Sequence, residues 1–342
     1  MLTERPARAT LPPAADFLDP AVPPPGCLAA LSRLGFLDPA GALANLRRLA
    51  ETPELRDQVA PLLPRLLHHL GASPDPDMAL NNLERLAAAA LDRRGFYTLL
   101  AAHPEAIPIL ATLAATSQFL TDALIRSPQT VPWLLDPTVM QTRSREAMHA
   151  EVAGACRPFR TGEARLNALR RVKRRELCRI GLRDLLGDAD LVTTTQELSE
   201  LADACLAQAT VMVEPALHER YGRPGHDAGG GGRAPTGFAV IALGKHGGAE
   251  LNYSSDIDLC FVYEAEGETD GPEVVSNRTY FARLAEQLVG AMTAMTEEGT
   301  VFRVDLRLRP EGAGGPLALP LAAYRAYLNA GARGANRREA QK

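Results

Sequence analysis

Between residue 27 and about residue 220 the apolar positions recur at helical spacing, as in Leu62, Leu63, Leu66, Leu67 and Leu70, or Leu80, Leu83, Leu86 and Ala87. Proline or glycine interrupts this pattern every ten to twenty residues, which predicts a bundle of packed helices. Several breaks carry helix-start signals: Ser73-Pro74-Asp75-Pro76-Asp77, His103-Pro104-Glu105 and Ser127-Pro128. Leu198, Leu201, Ala202, Cys205 and Leu206 continue the period, which fades near Tyr221. No fixed repeat emerges, so a solenoid is not indicated. Beyond Gly237 the pattern changes. Residues 238–243, FAVIAL, form a continuous apolar run bounded by glycines, the signature of a strand buried on both faces. A second run follows at 259–263, residues 279–296 read as an amphipathic helix, and residues 300–309 alternate as a strand. The whole therefore reads as α+β.

These patterns divide the chain. Residues 1–26 carry Pro12, Pro13, Pro20, Pro23, Pro24 and Pro25 among alanines and read as a flexible tail. A helical domain is expected over 27–222, a Gly-rich linker over 223–236 and a second, sheet-containing domain over 237–328. Gly229–Gly232 belong to that linker, with no strand before them to make a phosphate loop. Residues 329–342 lack apolar periodicity and read as an atypical end, as in a truncated or frame-shifted reading frame.

Composition narrows the partners. Of 342 residues 46% are hydrophobic and 23% charged, with a net charge of −4, so no overall basic field argues for nucleic acid or an anionic membrane. Cys27, Cys156, Cys178, Cys205 and Cys260 are scattered without a C-x-x-C pair, which predicts reduced cytoplasmic thiols rather than disulfides or a zinc knuckle. Neither a signal-peptide core nor a membrane-length apolar run occurs. One local bias stands out: residues 157–183 hold ten Arg or Lys against Glu163 and Glu176. It reads either as a patch for an anionic partner or, with more weight, as a solvated helix face behind Leu166, Leu169, Val172, Leu177 and Ile180.

The chemistry concentrates after the first strand. FAVIAL runs into Gly244-Lys245-His246-Gly247-Gly248, which is not a Walker A loop, because Ala239 and His246 stand where that motif needs Gly and Ser or Thr. Three glycines and a lysine past a buried strand nonetheless let backbone approach a phosphate closely. Asp256 and Asp258 follow, two apart at the start of a strand, so both carboxylates share one face while Ile257 and Leu259 point inward. Paired like charges call for a cation, and Mg2+ suits a few carboxylates plus substrate phosphates. In 300–309, Phe302, Val304, Leu306 and Leu308 form one face, and Arg303, Asp305, Arg307 and Arg309 the other. One acid among three arginines suits a nucleotide-and-metal site or a salt-bridged surface strand. No G-x-S-x-G or H-E-x-x-H occurs, which argues against a serine hydrolase or a zinc enzyme of those types.

The runs G-K-H-G-G-A-E-L-N-Y-S-S-D-I-D-L (244–259) and F-R-V-D-L-R-L-R-P-E-G-x-G-G-P-L (302–317) resemble the glutamine synthetase adenylyltransferase/adenylyl-removing enzyme family of the polymerase-beta-like nucleotidyltransferase superfamily. DPDMALNNLERLAAA, FLTDALIRSPQTVPWLLDP and VKRRELCRIGLRDLLGDADL are similar to that family's amino-terminal region, so the resemblance covers most of 30–328. It implies a helical bundle domain followed by a nucleotidyltransferase domain with a mixed β-sheet and flanking helices. It also implies that Asp256, Asp258 and Asp305 are the catalytic, metal-binding acids, holding two Mg2+ ions. Gly244, Lys245, Gly247, Gly248, Ser255, Arg307 and Arg309 would meet the phosphates of an adenine nucleotide, ATP or ADP. The expected partner is glutamine synthetase, with a PII-type signal protein as a second. The wording of both motifs looks like the removing half, which takes AMP from a tyrosine by phosphorolysis and releases ADP. Alternatives are adenylylation from ATP, another substrate, or an inactive binding remnant. His246 departs from the family pattern, which has an apolar residue there, and no second catalytic half is present.

Overall fold

The computed structural model describes residues 11–19 and 25–331. It divides into two compact units, Met1–Gln141 with Gly181–Ala189, and Thr142–Ile180 with Asp190–Lys342. Helices expected within one domain over 27–222 are therefore shared between two units.

The first unit is helical: α1 (Ala14–Leu18), α2 (Pro25–Arg33), α3 (Pro39–Leu49), α4 (Pro53–Val59), α5 (Leu63–Gly71), α6 (Pro76–Ala89), α7 (Arg93–Ala102), α8 (Ala106–Thr116), α9 (Gln118–Arg126) and α10 (Thr130–Leu134). Sequence chemistry sets several of the starts. Asp75 accepts from the Met78 amide at 2.9 Å with Pro76 in the first turn, and Thr52 caps α4 in the same way at 3.3 Å. The periodic leucines of α5 and α6 are buried. The flexible tail expected over 1–26 is corrected where it is described. Phe17 and Leu18 in α1 are 1% and 2% exposed, and α2 already begins at Pro25. Two adjacent large apolar side chains give that short segment something to bury, which its proline content concealed. Residues 1–10 and 20–24 lie outside the described residues, as do 332–342 of the atypical end.

In the second unit come α11 (Arg145–Cys156), α12 (Gly162–Leu186, its last residues counted with the first unit) and α13 (Leu191–Tyr221). Two sheets follow. In the smaller, β1 (Pro224–Asp227) pairs antiparallel with β2 (Arg233–Pro235) and with β5 (Glu268–Thr269). In the larger, β3 (Phe238–Leu243) is antiparallel to β4 (Ile257–Tyr263), and β6 (Val304–Asp305) and β7 (Ala318–Pro320) run parallel to β4. The remaining helices are α14 (Gly244–Gly247), α15 (Asn277–Thr293) and α16 (Leu321–Gly331). This is the expected mixed sheet with flanking helices.

Alternation along β3 and β4 places Phe238, Val240 and Ala242 with Leu259, Phe261 and Tyr263 on one face. That face packs on α13 and α15, with Phe281 stacked 5.3 Å from Phe238 and 5.0 Å from Tyr263. Asp258 therefore projects from the opposite face.

Two expectations need correction. The segment 223–236 is a β-hairpin rather than a linker. Gly229, Gly230 and Gly231, all at positive φ, form its tip, while Asn277 at the start of α15 donates to Gly225 O at 3.1 Å and Ala265 O at 2.9 Å. The strand expected over 300–309 is only two residues long, because Asp305 accepts from the Arg307 amide at 2.8 Å and turns the chain.

The arginines of α12 are neither a solvated face nor an open patch. Arg170 donates to Ala294 O at 3.0 Å, and Arg171 and Arg174 pair with Glu298 at 2.8 and 2.6 Å. Arg179, fully buried, lies between Glu176 at 2.7 Å and Glu197 at 2.6 Å. Among the described residues no single helix is long and apolar enough to cross a membrane.

Candidate active site

The glycine loop begins where β3 ends. Gly244 adopts φ +56°, and a Cβ there would lie 2.5 Å from the Asp258 carboxylate, so glycine serves both the turn and the close approach. A Cβ on Gly247 would lie 2.6 Å from Ala242 O, fixing how tightly α14 folds back on β3. Within the turn the Gly248 amide donates to Gly244 O at 3.1 Å, and Glu250 N to Lys245 O at 2.7 Å. Lys245, Gly247 and Gly248 are exposed, whereas His246 is buried. Further on, Ser255 Oγ donates to Asn252 Oδ1 at 2.7 Å and accepts from the Asn252 amide at 3.2 Å, shaping the approach to β4.

Register brings the acids together. The parallel pairing of β4 with β6 sets Asp258 opposite Asp305, residues separated by 46 intervening positions in the chain. Asp256 sits just before β4 and is drawn to Arg303, whose Nε donates to Oδ1 at 2.5 Å while its Nη2 donates to Ser254 O at 2.6 Å. Arg307 wraps Asp305, donating from Nε at 2.8 Å and from Nη2 at 2.5 Å to Oδ2. Arg309 points elsewhere: Nη1 and Nη2 donate to Leu306 O and Gly315 O at 2.9 and 3.2 Å, holding the turn after β6.

Electrostatics separates the two facing carboxyls. The Arg307 hydrogen bonds hold Asp305 below the usual carboxylate range. Burial, then the charges of Asp305 and Asp256, push Asp258 up. An ionised carboxylate facing one that resists ionisation is an excess of negative charge that a cation would relieve, and two oxygen donors suit Mg2+. As the side chains stand, no three His, Cys, Asp or Glu among the described residues are gathered tightly enough to hold an ion. Asp256 would join Asp258 and Asp305 only by leaving Arg303.

Sequence reasoning put Asp256 and Asp258 on one face of one strand and Arg303, Asp305, Arg307 and Arg309 on one face of another; the structure sets Asp258 opposite Asp305, with Arg307 bonded to Asp305 and Arg309 turned away to Leu306 O and Gly315 O. It missed Arg303 as the partner of Asp256, and it missed the α13 residues that touch the glycine loop. Ser199 accepts from the Leu251 amide at 3.2 Å, and Asp203 Oδ1 lies 2.9 Å from His246 Nε2. The only available signal was their i, i+4 spacing on a helix whose apolar stripe was already explained.

A family model described as glutamate-ammonia ligase adenylyltransferase matches residues 108–337. The bifunctional glutamine synthetase adenylyltransferase/adenylyl-removing enzyme of Thioalkalivibrio sulfidiphilus is 32% identical over 312 residues, 87% of this chain and 32% of that protein. The enzyme of the same description from Xanthobacter autotrophicus is 34% identical over 312 residues, 88% of this chain and 30% of that protein. The one from Pseudomonas putida is 30% identical over 313 residues, 87% of this chain and 31% of that protein. The chain thus spans about a third of the length of the curated relatives it matches.

Proposed function

The chain belongs to the glutamate-ammonia ligase adenylyltransferase family, and from that premise we propose that it is a metal-dependent nucleotidyltransferase module acting on glutamine synthetase. Its reaction is removal of AMP from an adenylyl-tyrosine by phosphorolysis. Phosphate oxygen bonds to the adenylyl phosphorus, the bond from phosphorus to the tyrosine oxygen breaks, the proton of the attacking hydrogen phosphate passes to that oxygen, and ADP and the unmodified tyrosine side chain result. The observation that carries the reading is the β4–β6 register, which sets Asp258 against Asp305, with the Asp258 carboxylate closely beside Gly244 of the glycine loop.

Asp258 and Asp305, with Asp256 once freed from Arg303, would hold Mg2+. When bound, that ion supplies charge neutralisation at the phosphoryl oxygens and the leaving oxygen. The rest falls to the chain's own groups. Arg307 is anchored through Asp305 yet its side chain is 82% exposed, so its guanidinium can reach a second anion and orient the attacking phosphate. Lys245 adds an exposed positive charge on the loop. Arg309 supports this face from behind, through the turn after β6.

The test is ADP release when the purified chain meets adenylylated glutamine synthetase, phosphate and Mg2+, with Asp258→Asn alongside. Phosphate-dependent ADP that disappears in the variant supports the proposal. No ADP from a folded chain overturns it.

A further inference from the structure

We propose that Ser199 and Asp203, one turn apart on α13, are positioning residues that clip the glycine loop at two points, Asp203 acting through His246. The activity part of this inference rests on the reaction proposed above; the clip itself does not.

The first tie is at Leu251, which is 1% exposed. Its amide donates to Ser199 Oγ at 3.2 Å, and Ser199 Oγ is oriented for this by donating to Thr195 O at 2.8 Å. The second tie is at His246, whose side chain is 1% exposed and whose Nε2 meets Asp203 Oδ1 at 2.9 Å. Asp203 is itself braced, with Oδ2 lying 3.1 Å from Arg145 Nη2 of α11. Because residues four apart on a helix lie one above the other, a single face of α13 holds both ends of the segment 246–251. Between the ties lie Gly247, Gly248 and Ala249, the last at φ +56°, a conformation that a non-glycine residue keeps only when its surroundings impose it.

Packing alone does not fix this loop. A cavity of about 330 Å3 adjoins His246, lined also by His149, Leu206, Thr210, Val240 and Leu259, and His246 Nδ1 has no protein hydrogen-bond partner there. The ring is nearly enclosed, so packing confines it while the Asp203 bond fixes which way Nε2 points. The apolar residue that the family resemblance leads one to expect at 246 could fill space but could not make this bond. The clip is therefore polar, directional and carried by α13, the same helix whose apolar stripe packs under the catalytic sheet.

The experiment compares Asp203→Ala, Ser199→Ala and His246→Gln with the parent chain by amide hydrogen exchange, which needs no substrate. Both alanine variants are expected to speed exchange across 246–251 by about ten-fold, with little change elsewhere in the chain. His246→Gln keeps a donor for Asp203 and is expected to hold the parent's exchange. Fast exchange in a folded His246→Gln chain, or parental exchange in both alanine variants, overturns the proposal. In the ADP-release assay the alanine variants should raise KM for phosphate about five- to ten-fold while kcat stays within about two-fold, a split that a general loss of folded protein does not produce. Unchanged KM alongside faster exchange overturns the positioning role. Absence of ADP from the parent chain defeats the proposed reaction and leaves the exchange result to decide the clip.

Discussion

Of the places in the second unit where arginines meet carboxylates, two differ in almost everything except residue type. Around Arg179 on α12, the guanidinium and both its acids, Glu176 and Glu197, are buried, and Glu176 takes a further bond from Arg143 at 3.2 Å. On the β4–β6 face, Arg303 and Arg307 have side chains 69% and 82% exposed, and Asp305, the acid of Arg307, faces Asp258. The first cluster is closed, since its guanidinium and both its acids are buried and paired with one another. The second is open, with guanidiniums reaching water and a carboxyl that resists ionisation. Composition alone made 157–183 the more conspicuous candidate for an anion. Burial and the balance of charges reverse that ranking.

Asp258→Asn should sharpen the contrast most. It removes a donor from the open site with almost no change in volume, and turnover should fall at least about 1,000-fold. The metal-free chain should melt no lower than the parent, because a like charge has gone from beside Asp305. Near-normal ADP release from the folded variant would remove the open site from the comparison. Arg179→Met addresses the closed site. It leaves Glu176 and Glu197 buried without their partner and should cost about 3–5 kcal/mol in urea denaturation; a loss below about 1 kcal/mol would show that the cluster is not structural.

Arg307→Ala should do the reverse of Arg179→Met. The guanidinium is exposed and its pairing screened by water, so the urea midpoint should barely move, while kcat/KM for phosphate drops about 10- to 100-fold. A large stability loss with intact kinetics would erase the distinction between the sites. Lys173, on the same helix as Arg179, should give an effect confined to one pH range. Its ammonium lies 4.8 Å from the Phe302 ring centre, and burial is the chief cause that holds its pKa down to about 8. A depressed lysine contributes stability that is complete above its unfolded value of about 10.4 and is lost as pH falls through about 8. Stability from this group should therefore rise between those values, and Lys173→Met should flatten that part of a urea-midpoint profile. Identical slopes in the two chains would contradict the assignment. Arginine keeps its charge when buried whereas lysine yields, which accords with arginines filling the closed cluster.

Much of this was legible in the chain. Period-2 spacing put Asp256 and Asp258 on one face, glycine content marked the turn at 244–248, and leucine periodicity gave α5, α6 and α13. Other features were misread for definite reasons. Glycine in 223–236 signalled a hairpin tip and close backbone approach, which composition does not distinguish from a linker. Alternation over 300–309 continued beyond the strand because the Asp305 side chain, not the hydrophobic pattern, ended it. The arginines of α12 looked solvated because their partners Glu197 and Glu298 are distant in sequence.

The sequence by itself determined which residues can do chemistry and which local conformations they favour, since periodicity, capping and glycine act over a few residues. Tertiary structure alone decided that Asp258 faces Asp305, that Arg303 takes Asp256, and that α13 reaches the glycine loop at Ser199 and Asp203. Each of those contacts joins segments more than forty residues apart. Their energies arise from burial, charge balance and strand register, which exist only once the chain has packed.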